Sequence, residues 1–151
     1  MNDGVTCRQC RADEVEAIKL LVRDVVLECY GSLLTDIQLD PDTAWQESWI
    51  AICDGRVAGV VLTKGNWVKD LWIEKSARRA GIGNHLLALA EREIADRGQL
   101  LARLRLVAEN IRALQFYISH GWREDRRYPH ETYGIEMVEI VKTISGDATL
   151  H

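Results

Sequence analysis

Apolar residues recur every three or four positions between residues 12 and 31, a spacing typical of one face of a helix. The apolar positions are Val15, Ile18, Leu21, Val22, Val25 and Cys29. Asp13 followed three residues later by Glu16 predicts a capping box at the start of this helix. Gly31 predicts its end.

Two further stretches have helical spacing and end at a glycine. The first runs from about residue 82 to residue 97, before Gly98, and a second begins at Asn110 and ends at Gly121. The predicted core positions of the first are Ile82, Leu86, Leu87, Ala90 and Ile94. The acidic stretch 32–45 has no clear period, and we expect irregular structure with room for a short helix.

The remaining apolar stretches are short and predict strands. Asp54 and Gly55 separate two of them, and this dipeptide is typical of a tight hairpin turn because glycine accepts a positive φ. A third strand is predicted at 67–74, and arginines facing outward alternate along a strand at 100–108. A first strand at 5–10 and a final pair at 122–128 and 133–144 complete the set.

The predicted order is strand, helix, three strands, helix, strand, helix and two strands. This order favours the α/β class with a mixed sheet and helices on its faces. A chain of 151 residues suggests one domain, predicted here at 1–145, followed by a loose tail at 146–151.

Composition and charge narrow the function classes. The net charge is −4 and the pI is about 5.6, whereas a nucleic-acid-binding protein usually has a basic excess. No segment approaches the roughly 20 apolar residues that cross a bilayer. The first ten residues, MNDGVTCRQC, have no apolar core of a signal peptide, so a cytoplasmic location is expected.

The cysteines and histidines do not have the spacing of a metal site. Cys7 and Cys10 form one C-x-x-C without a second pair or a nearby histidine, whereas zinc needs about four ligands. We interpret the four cysteines as ordinary reduced thiols, and we expect no metal. The cysteines are Cys7, Cys10, Cys29 and Cys53, and the histidines without metal-ligand spacing are His85, His120 and His130.

The stretch RRAGIG, residues 78–83, places two arginines and two glycines at a predicted helix start. Glycine lets a ligand approach the backbone, and the free N–H groups of a first helical turn attract an anion such as a pyrophosphate. A Walker A loop is excluded because no Lys-Ser or Lys-Thr follows Gly83. The dinucleotide fingerprint fails because Leu86 stands where its third glycine belongs. From these residues alone, a simple turn between strand and helix is an equal alternative.

RRAGIG matches the R/Q-x-x-G-x-G/A signature of the GNAT superfamily, the acyl-CoA-dependent N-acyltransferases. The upstream KDLWIEKSA resembles the family's fourth strand and the loop after it, and AENIRALQFYISHGWRE resembles its last helix and the turn beyond. The order of elements also matches, so the resemblance covers nearly the whole chain. It implies a mostly antiparallel GNAT-like sheet in which the fourth and fifth strands splay apart.

The resemblance implies an acetyl-CoA site around these motifs. The pantetheine arm would lie between the splayed strands, and Asn110 would contact it near the thioester. Arg78 would support the pyrophosphate by charge. The backbone pairing with the arm would come from Leu71, Trp72 and Ile73, and that around the pyrophosphate from Arg79, Ala80, Gly81, Ile82, Gly83 and Asn84.

The implied reaction is direct attack of an amine on the acetyl carbonyl. A backbone N–H near Ile73 would stabilise the negative oxygen, and Tyr117 occupies the family's position for the acid that protonates the leaving thiolate. Spacing alone would make Tyr117 an aromatic on the core face of a helix. Asp70, Glu74 and Glu28 are candidate bases, and each could equally be a solvated carboxylate.

The acceptor stays open. An acidic mouth made by Glu28, Asp36, Asp40 and Asp42 would favour a cationic amine, whereas Arg123, Arg126 and Arg127 could hold a carboxylate. Either set could simply face water. The alternatives to an N-acetyltransferase are a non-catalytic acyl-CoA-binding module and a binder of another phosphate ligand. The five tryptophans favour core packing or a homodimer contact over a pocket.

Overall fold

The computed structural model describes residues 4–32 and 39–144, and of Arg79 the backbone alone. The described chain has seven strands and three α-helices. Their bounds are β1 Val5–Gln9, α1 Val15–Tyr30, β2 Trp49–Cys53, β3 Arg56–Lys64, β4 Trp67–Ile73, α2 Ile82–Asp96, β5 Leu101–Val107, α3 Ile111–Ser119, β6 Arg123–Pro129 and β7 Glu136–Thr143. This is the predicted order of elements, and the predicted mixed α/β class is confirmed.

The chain falls into two compact units. One comprises Met1–Thr63 and Lys69–Ala90, and the other Lys64–Val68 and Glu91–His151. The single domain at 1–145 stays a prediction, and the predicted tail lies outside the described residues.

The first unit has the strand order β1-β2-β3-β4. β1 and β3 both pair antiparallel with β2. Asp54 and Gly55 have φ angles of 54° and 78°, so the predicted tight turn between β2 and β3 is confirmed. α1 buries its predicted apolar face against the sheet. The core cluster contains Ile18, Leu21, Val22, Val25, Val26, Trp45, Ile50, Val60 and Leu62.

The predicted capping box of α1 is wrong. A short 3-10 turn precedes the helix, and the carboxylate that closes it is that of Glu14, which accepts a hydrogen bond from the Arg11 N–H at 2.8 Å. Arg8 on β1 holds both oxygens of Glu14, at 2.8 and 2.6 Å. An arginine outside the helix therefore selects Glu14, whereas the prediction used Asp13 and Glu16. The predicted end at Gly31 is confirmed.

The predictions for α2 and α3 are confirmed. All five predicted core positions of α2 are at most 1% exposed, and Gly98 follows the helix with a φ of 83°. The Asn110 side chain caps α3 by accepting a hydrogen bond from the Ala113 N–H at 3.2 Å. Of the acidic stretch 32–45, residues 33–38 lie outside the described residues, and a 3-10 turn occupies Trp45–Glu47.

In the second unit β7 lies between β5 and β6 and is antiparallel to both. The first residue of β4, Trp67, pairs in parallel with Arg103 of β5. The predicted divergence of these two strands further along stays a prediction. The buried residues of this unit include Ile94, Ala102, Leu104, Leu106, Leu114, Trp122, Val138 and Ile140.

Candidate active site

The RRAGIG stretch forms the entry to α2. A 3-10 helix spans Lys75–Ala80, Gly81 has the left-handed conformation with φ 77° and ψ 9°, and α2 begins at Ile82. A residue with a β-carbon rarely adopts this φ, so the conformation explains the first glycine of the motif. Gly81 redirects the chain from the 3-10 helix into α2.

The start of α2 presents backbone donors. The His85 N–H closes the first helical turn by donating to the Gly81 carbonyl at 3.2 Å. The N–H groups of Ile82, Gly83 and Asn84 precede that bond, so they have no acceptor inside the helix. Together with the positive end of the helix dipole, they can bind an anion.

Gly59 on β3 brings the start of α2 close to the sheet. A β-carbon at this position would lie 2.9 Å from Cδ1 of Ile73, 3.1 Å from Cγ2 of Ile82 and 3.1 Å from Cδ1 of Leu86. These distances are shorter than ordinary carbon contacts, so an added β-carbon would have to push these side chains aside. This role was not predicted from the sequence, although a glycine inside a strand is a signal for close approach.

The end of β4 presents backbone groups in the same unit. The Glu74 N–H donates to the Ala58 carbonyl of β3 at 2.9 Å. The carbonyl of Ile73 belongs to the same peptide group as this N–H, so it points to the opposite side, away from β3. The pairing of Leu71, Trp72 and Ile73 with a pantetheine arm stays a prediction.

Arg78 is held by two other elements. Its Nη1 and Nη2 donate to the two carboxylate oxygens of Glu28 on α1, at 2.7 and 2.6 Å. Its Nε donates to the carbonyl of Ile73 at 3.2 Å. From the family resemblance, Arg78 was expected beside a pyrophosphate and Glu28 among the candidate bases. Local sequence patterns do not pair two residues that lie fifty positions apart.

Asp70 has the electrostatics of a base near neutral pH. Burial raises the pKa of its carboxyl to about 6. Trp72 Nε1 donates a hydrogen bond to Oδ1 at 3.0 Å, and this bond and the charge of Lys69 act to lower the pKa, whereas Asp40 raises it. The Trp72 ring makes an edge contact with Tyr30, with the ring centroids 6.4 Å apart.

Glu74 has a different environment. Arg56 forms an ion pair with it, and its Nε lies 3.0 Å from the same carboxylate. The Ser76 hydroxyl donates to this carboxylate at 2.8 Å. These bonds lower the pKa of Glu74, Arg56 making the largest contribution. A carboxylate with a lowered pKa is a weaker base than one with a raised pKa.

The two site residues of the second unit lie on α3. Asn110 forms the helix cap described above. Tyr117 is 8% exposed, and its ring makes edge contacts with those of Phe116 and Trp122, at centroid distances of 5.2 and 6.0 Å. Trp122 is anchored in turn by a hydrogen bond from Nε1 to Glu91 at 3.2 Å. The aromatic packing expected from spacing is therefore present and fixes the plane of the Tyr117 ring.

The arginines near the last hairpin contact carboxylates of the chain. Arg126 lies 3.3 Å from Glu139, and Arg127 lies 2.7 Å from Glu124. Glu139 is 2% exposed and also accepts from Arg103 at 2.9 Å and from the Tyr128 hydroxyl at 3.0 Å. Arg123 is exposed on β6.

Of the acidic residues predicted to form an acceptor mouth, Glu28 lines a groove. An open groove of the first unit is lined by Ala17, Leu21, Asp24, Val25, Glu28, Val57, Glu74 and Lys75. Two of its three carboxylates, those of Glu28 and Glu74, form ion pairs with Arg78 and Arg56, so the lining does not amount to the acidic mouth that would favour a cationic amine. Asp40 accepts a hydrogen bond from the Asp42 N–H at 2.9 Å, and Asp36 lies outside the described residues.

The described residues include the cysteines, possible metal ligands and the helices. All four cysteines lie in the described ranges, and none of them forms a disulfide. Within residues 4–32 and 39–144, no group of three His, Cys, Asp or Glu side chains could hold a metal ion. None of the helices in those ranges has the length and apolar character needed to cross a bilayer.

The chain is similar to known acetyltransferases. The model of the acetyltransferase (GNAT) domain family matches residues 37–144. No curated protein matches the sequence. Among solved structures, YncA of Salmonella typhimurium, a putative acetyltransferase with its cofactor acetyl-CoA, is similar with a TM-score of 0.74 at 14% identity over 95% of this chain and 96% of that one.

Two structures from Thermoplasma species are also similar. PaiA N-acetyltransferase of Thermoplasma acidophilum, in complex with coenzyme A, has a TM-score of 0.70 at 14% identity, over 92% of this chain and 98% of that one. Ard1 of Thermoplasma volcanium has a TM-score of 0.73 at 17% identity, over 93% and 97%. At these identities the similarity shows the fold.

Proposed function

The chain belongs to the GNAT acetyltransferase family, and we propose that it transfers the acetyl group of acetyl-CoA to a primary amine of a small molecule or peptide. One observation carries the proposal: the left-handed Gly81 opens α2, whose first N–H groups are suited to a pyrophosphate. We further propose that the protein works in the cytoplasm without a metal, nucleic acid or membrane.

The donor would bind to backbone groups on two segments of one unit. The backbone of residues 79–84 would surround the pyrophosphate. The backbone of β4 at Leu71, Trp72 and Ile73 would lie along the pantetheine arm and pair with it. Asn110 would contact that arm near the thioester. The donor is a co-substrate, consumed and replaced in each turnover.

Asp70 is the proposed general base. The lone pair of the amine forms a bond to the carbonyl carbon while the Asp70 carboxylate accepts the amine proton, directly or through one water. A pKa of about 6 keeps this carboxyl largely ionised at neutral pH and basic enough to accept a proton. Glu28 and Glu74 are weaker candidates, because each forms an ion pair with an arginine.

Two further groups of the chain would act on the negative charges that develop on the carbonyl oxygen and on the leaving sulfur. The backbone N–H of Ile73 would stabilise the negative charge that develops on the carbonyl oxygen. The bond from carbon to sulfur then breaks, and the Tyr117 hydroxyl would donate its proton to the leaving thiolate. The packing of the Tyr117 ring supports this role, because a fixed ring holds its hydroxyl in one direction.

Calorimetric titration with acetyl-CoA tests the donor site. Gly83→Glu places a carboxylate in the first turn of α2, and Gly83→Gln is the uncharged control of equal size. A negative charge stabilises a helix start, so loss of binding in Gly83→Glu would not reflect a weaker helix. We expect the wild type to bind, Gly83→Gln to bind more weakly and Gly83→Glu to lose binding.

Two results would contradict the proposal. If both variants bind acetyl-CoA as tightly as the wild type does, the pyrophosphate does not lie at the start of α2. If ATP competes for the site as well as CoA does, the natural ligand is another phosphate compound. If acetyl-CoA binds, a screen of amines with detection of released thiol tests turnover. Binding without thiol release from any amine would favour the non-catalytic acyl-CoA-binding module.

A further inference from the structure

The guanidinium of Arg78 joins three segments of the first unit. Two nitrogens bind the carboxylate of Glu28, at 2.6 and 2.7 Å, near the end of α1, and Nε binds the last carbonyl of β4, that of Ile73. Arg78 itself lies in the 3-10 helix that leads into Gly81. Sulfur Sγ of Cys29 lies 3.9 Å from Nη2. Each guanidinium nitrogen therefore has an acceptor within the chain.

This arrangement leaves little capacity for a phosphate. A bidentate arginine–carboxylate pair fixes the guanidinium plane and is among the strong charge-assisted hydrogen bonds. The two side chains are 23% and 32% exposed, so the pair is partly withdrawn from water. The Glu28 carboxylate neutralises the positive charge, and a phosphate would have to displace that carboxylate.

We infer that Arg78 is a positioning residue that fixes the end of β4 and the entry to α2 onto α1, and that it is not a pyrophosphate ligand. The inference rests on the proposed function, because it concerns the acetyl-CoA site. The bond from Nε holds the carbonyl of Ile73, the residue whose N–H is the proposed donor to the carbonyl oxygen of the thioester. Arg78 therefore orients the strand segment proposed to contact the thioester end of the donor.

The two roles predict opposite patterns with a donor that lacks pyrophosphate. A pyrophosphate ligand at position 78 would matter for acetyl-CoA and not for S-acetylpantetheine. Glu28→Gln would then strengthen acetyl-CoA binding, because it would free the guanidinium for the phosphates. A positioning residue affects both donors alike, and loss of Glu28 weakens binding in the same direction as loss of Arg78.

The test measures the affinity of both donors for Arg78→Gln, Glu28→Gln and the exchanged pair Arg78→Glu with Glu28→Arg. Arg8→Gln is the matched control, because Arg8 also holds a glutamate by two hydrogen bonds, between β1 and the turn before α1. We expect both single variants to lose about tenfold for both donors, and Arg8→Gln to bind as the wild type does. Selective loss for acetyl-CoA in Arg78→Gln, or tighter binding in Glu28→Gln, would overturn the inference.

A second measurement separates this inference from the proposed function. If the wild type binds neither donor, the proposed function fails, and hydrogen exchange of the free protein still tests the positioning role. Arg78→Gln and Glu28→Gln should then speed amide exchange across 73–81, whereas Arg8→Gln should not. Unchanged exchange in both variants would refute the positioning role. The exchanged pair should restore part of the protection and shows whether the two charges act together.

Discussion

The Trp72 indole donates a hydrogen bond to the carboxylate of Asp70 across 3.0 Å, two residues away on the same face of β4. Burial and this bond act in opposite directions on the carboxyl pKa, and burial has the larger effect. The balance leaves the pKa at about 6, above the ordinary value for aspartate.

The first prediction concerns the pH dependence of turnover. A general base must be ionised, so kcat/KM should fall as the pH falls through about 6. Asp70→Asn should lower kcat/KM by about 10²-fold or more and remove this acidic limb. Glu16→Gln, which changes an exposed carboxylate on α1, is the control. An unchanged acidic limb in Asp70→Asn would assign the titration to another group.

The same pKa predicts a change in stability. The folded-state pKa is raised, so Asp70 stabilises the fold most below its unfolded value of about 4, and this contribution is lost as the pH rises through 6. The free energy of unfolding of Asp70→Asn, relative to that of the wild type, should therefore be higher at pH 8 than at pH 4. Urea unfolding at the two pH values measures this difference. An equal difference at both pH values would mean that the carboxyl titrates normally.

Trp72→Phe should move the acidic limb in a known direction. Phenylalanine keeps an aromatic ring against Tyr30 but removes the indole donor. The hydrogen bond favours the ionised form, so its loss raises the Asp70 pKa and shifts the limb of kcat/KM to higher pH. Carbon-13 NMR of the Asp70 carboxyl measures that pKa directly. The acidic limb of kcat/KM could instead move to lower pH, or stay in place while the Asp70 pKa measured by NMR rises. Either result would mean that Asp70 is not the group whose ionisation controls kcat/KM.

Tyr117→Phe should lower kcat and leave donor binding nearly unchanged, because the hydroxyl is needed when the thiolate leaves. The expected loss is about 10²-fold, typical of an absent general acid. Tyr128→Phe is the matched control, since it removes a hydroxyl that donates to the buried Glu139. That variant should lower stability and leave kcat unchanged. If Tyr117→Phe turns over at the wild-type rate, another group protonates the thiolate.

Gly59→Ala should weaken both the fold and donor binding. The added β-carbon would press on Ile73 and Ile82, which flank the candidate donor site, and overpacking of this kind costs about 1–3 kcal/mol. Thermal unfolding and acetyl-CoA titration measure the two effects. Gly55→Asn is the control, because its β-carbon meets no atom within 4 Å and asparagine tolerates a positive φ. Full affinity in Gly59→Ala would show that the site adapts.

The elements that the sequence predicts correctly depend on local signals. The spacing of apolar residues predicts the buried face of α2, and Asp54-Gly55 predicts the hairpin because both need positive φ angles. The start of α1 is missed because its decisive partner, Arg8, lies on another element. A capping box is predicted from residues that are close together in the sequence, so the prediction does not take account of that arginine.

The side-chain partners in the candidate site depend on tertiary structure. RRAGIG predicts the entry to α2, but the pairing of Arg78 with Glu28 exists only after α1 packs beside that entry. Glu139 carries a charge, and a glutamate is usually expected at an exposed position. It becomes buried because β7 lies between β5 and β6, which bring Arg103 and Arg126 to it.

Asn110 has a consequence for how such a protein can diverge. Its side-chain oxygen caps α3, and serine or aspartate can perform that task equally well. Neither can supply the amide N–H groups that a bound thioester would meet. A single substitution here could therefore remove the proposed contact with the pantetheine arm while α3 keeps its cap. Loss of donor binding in a descendant of this protein would require no rebuilding of this helix.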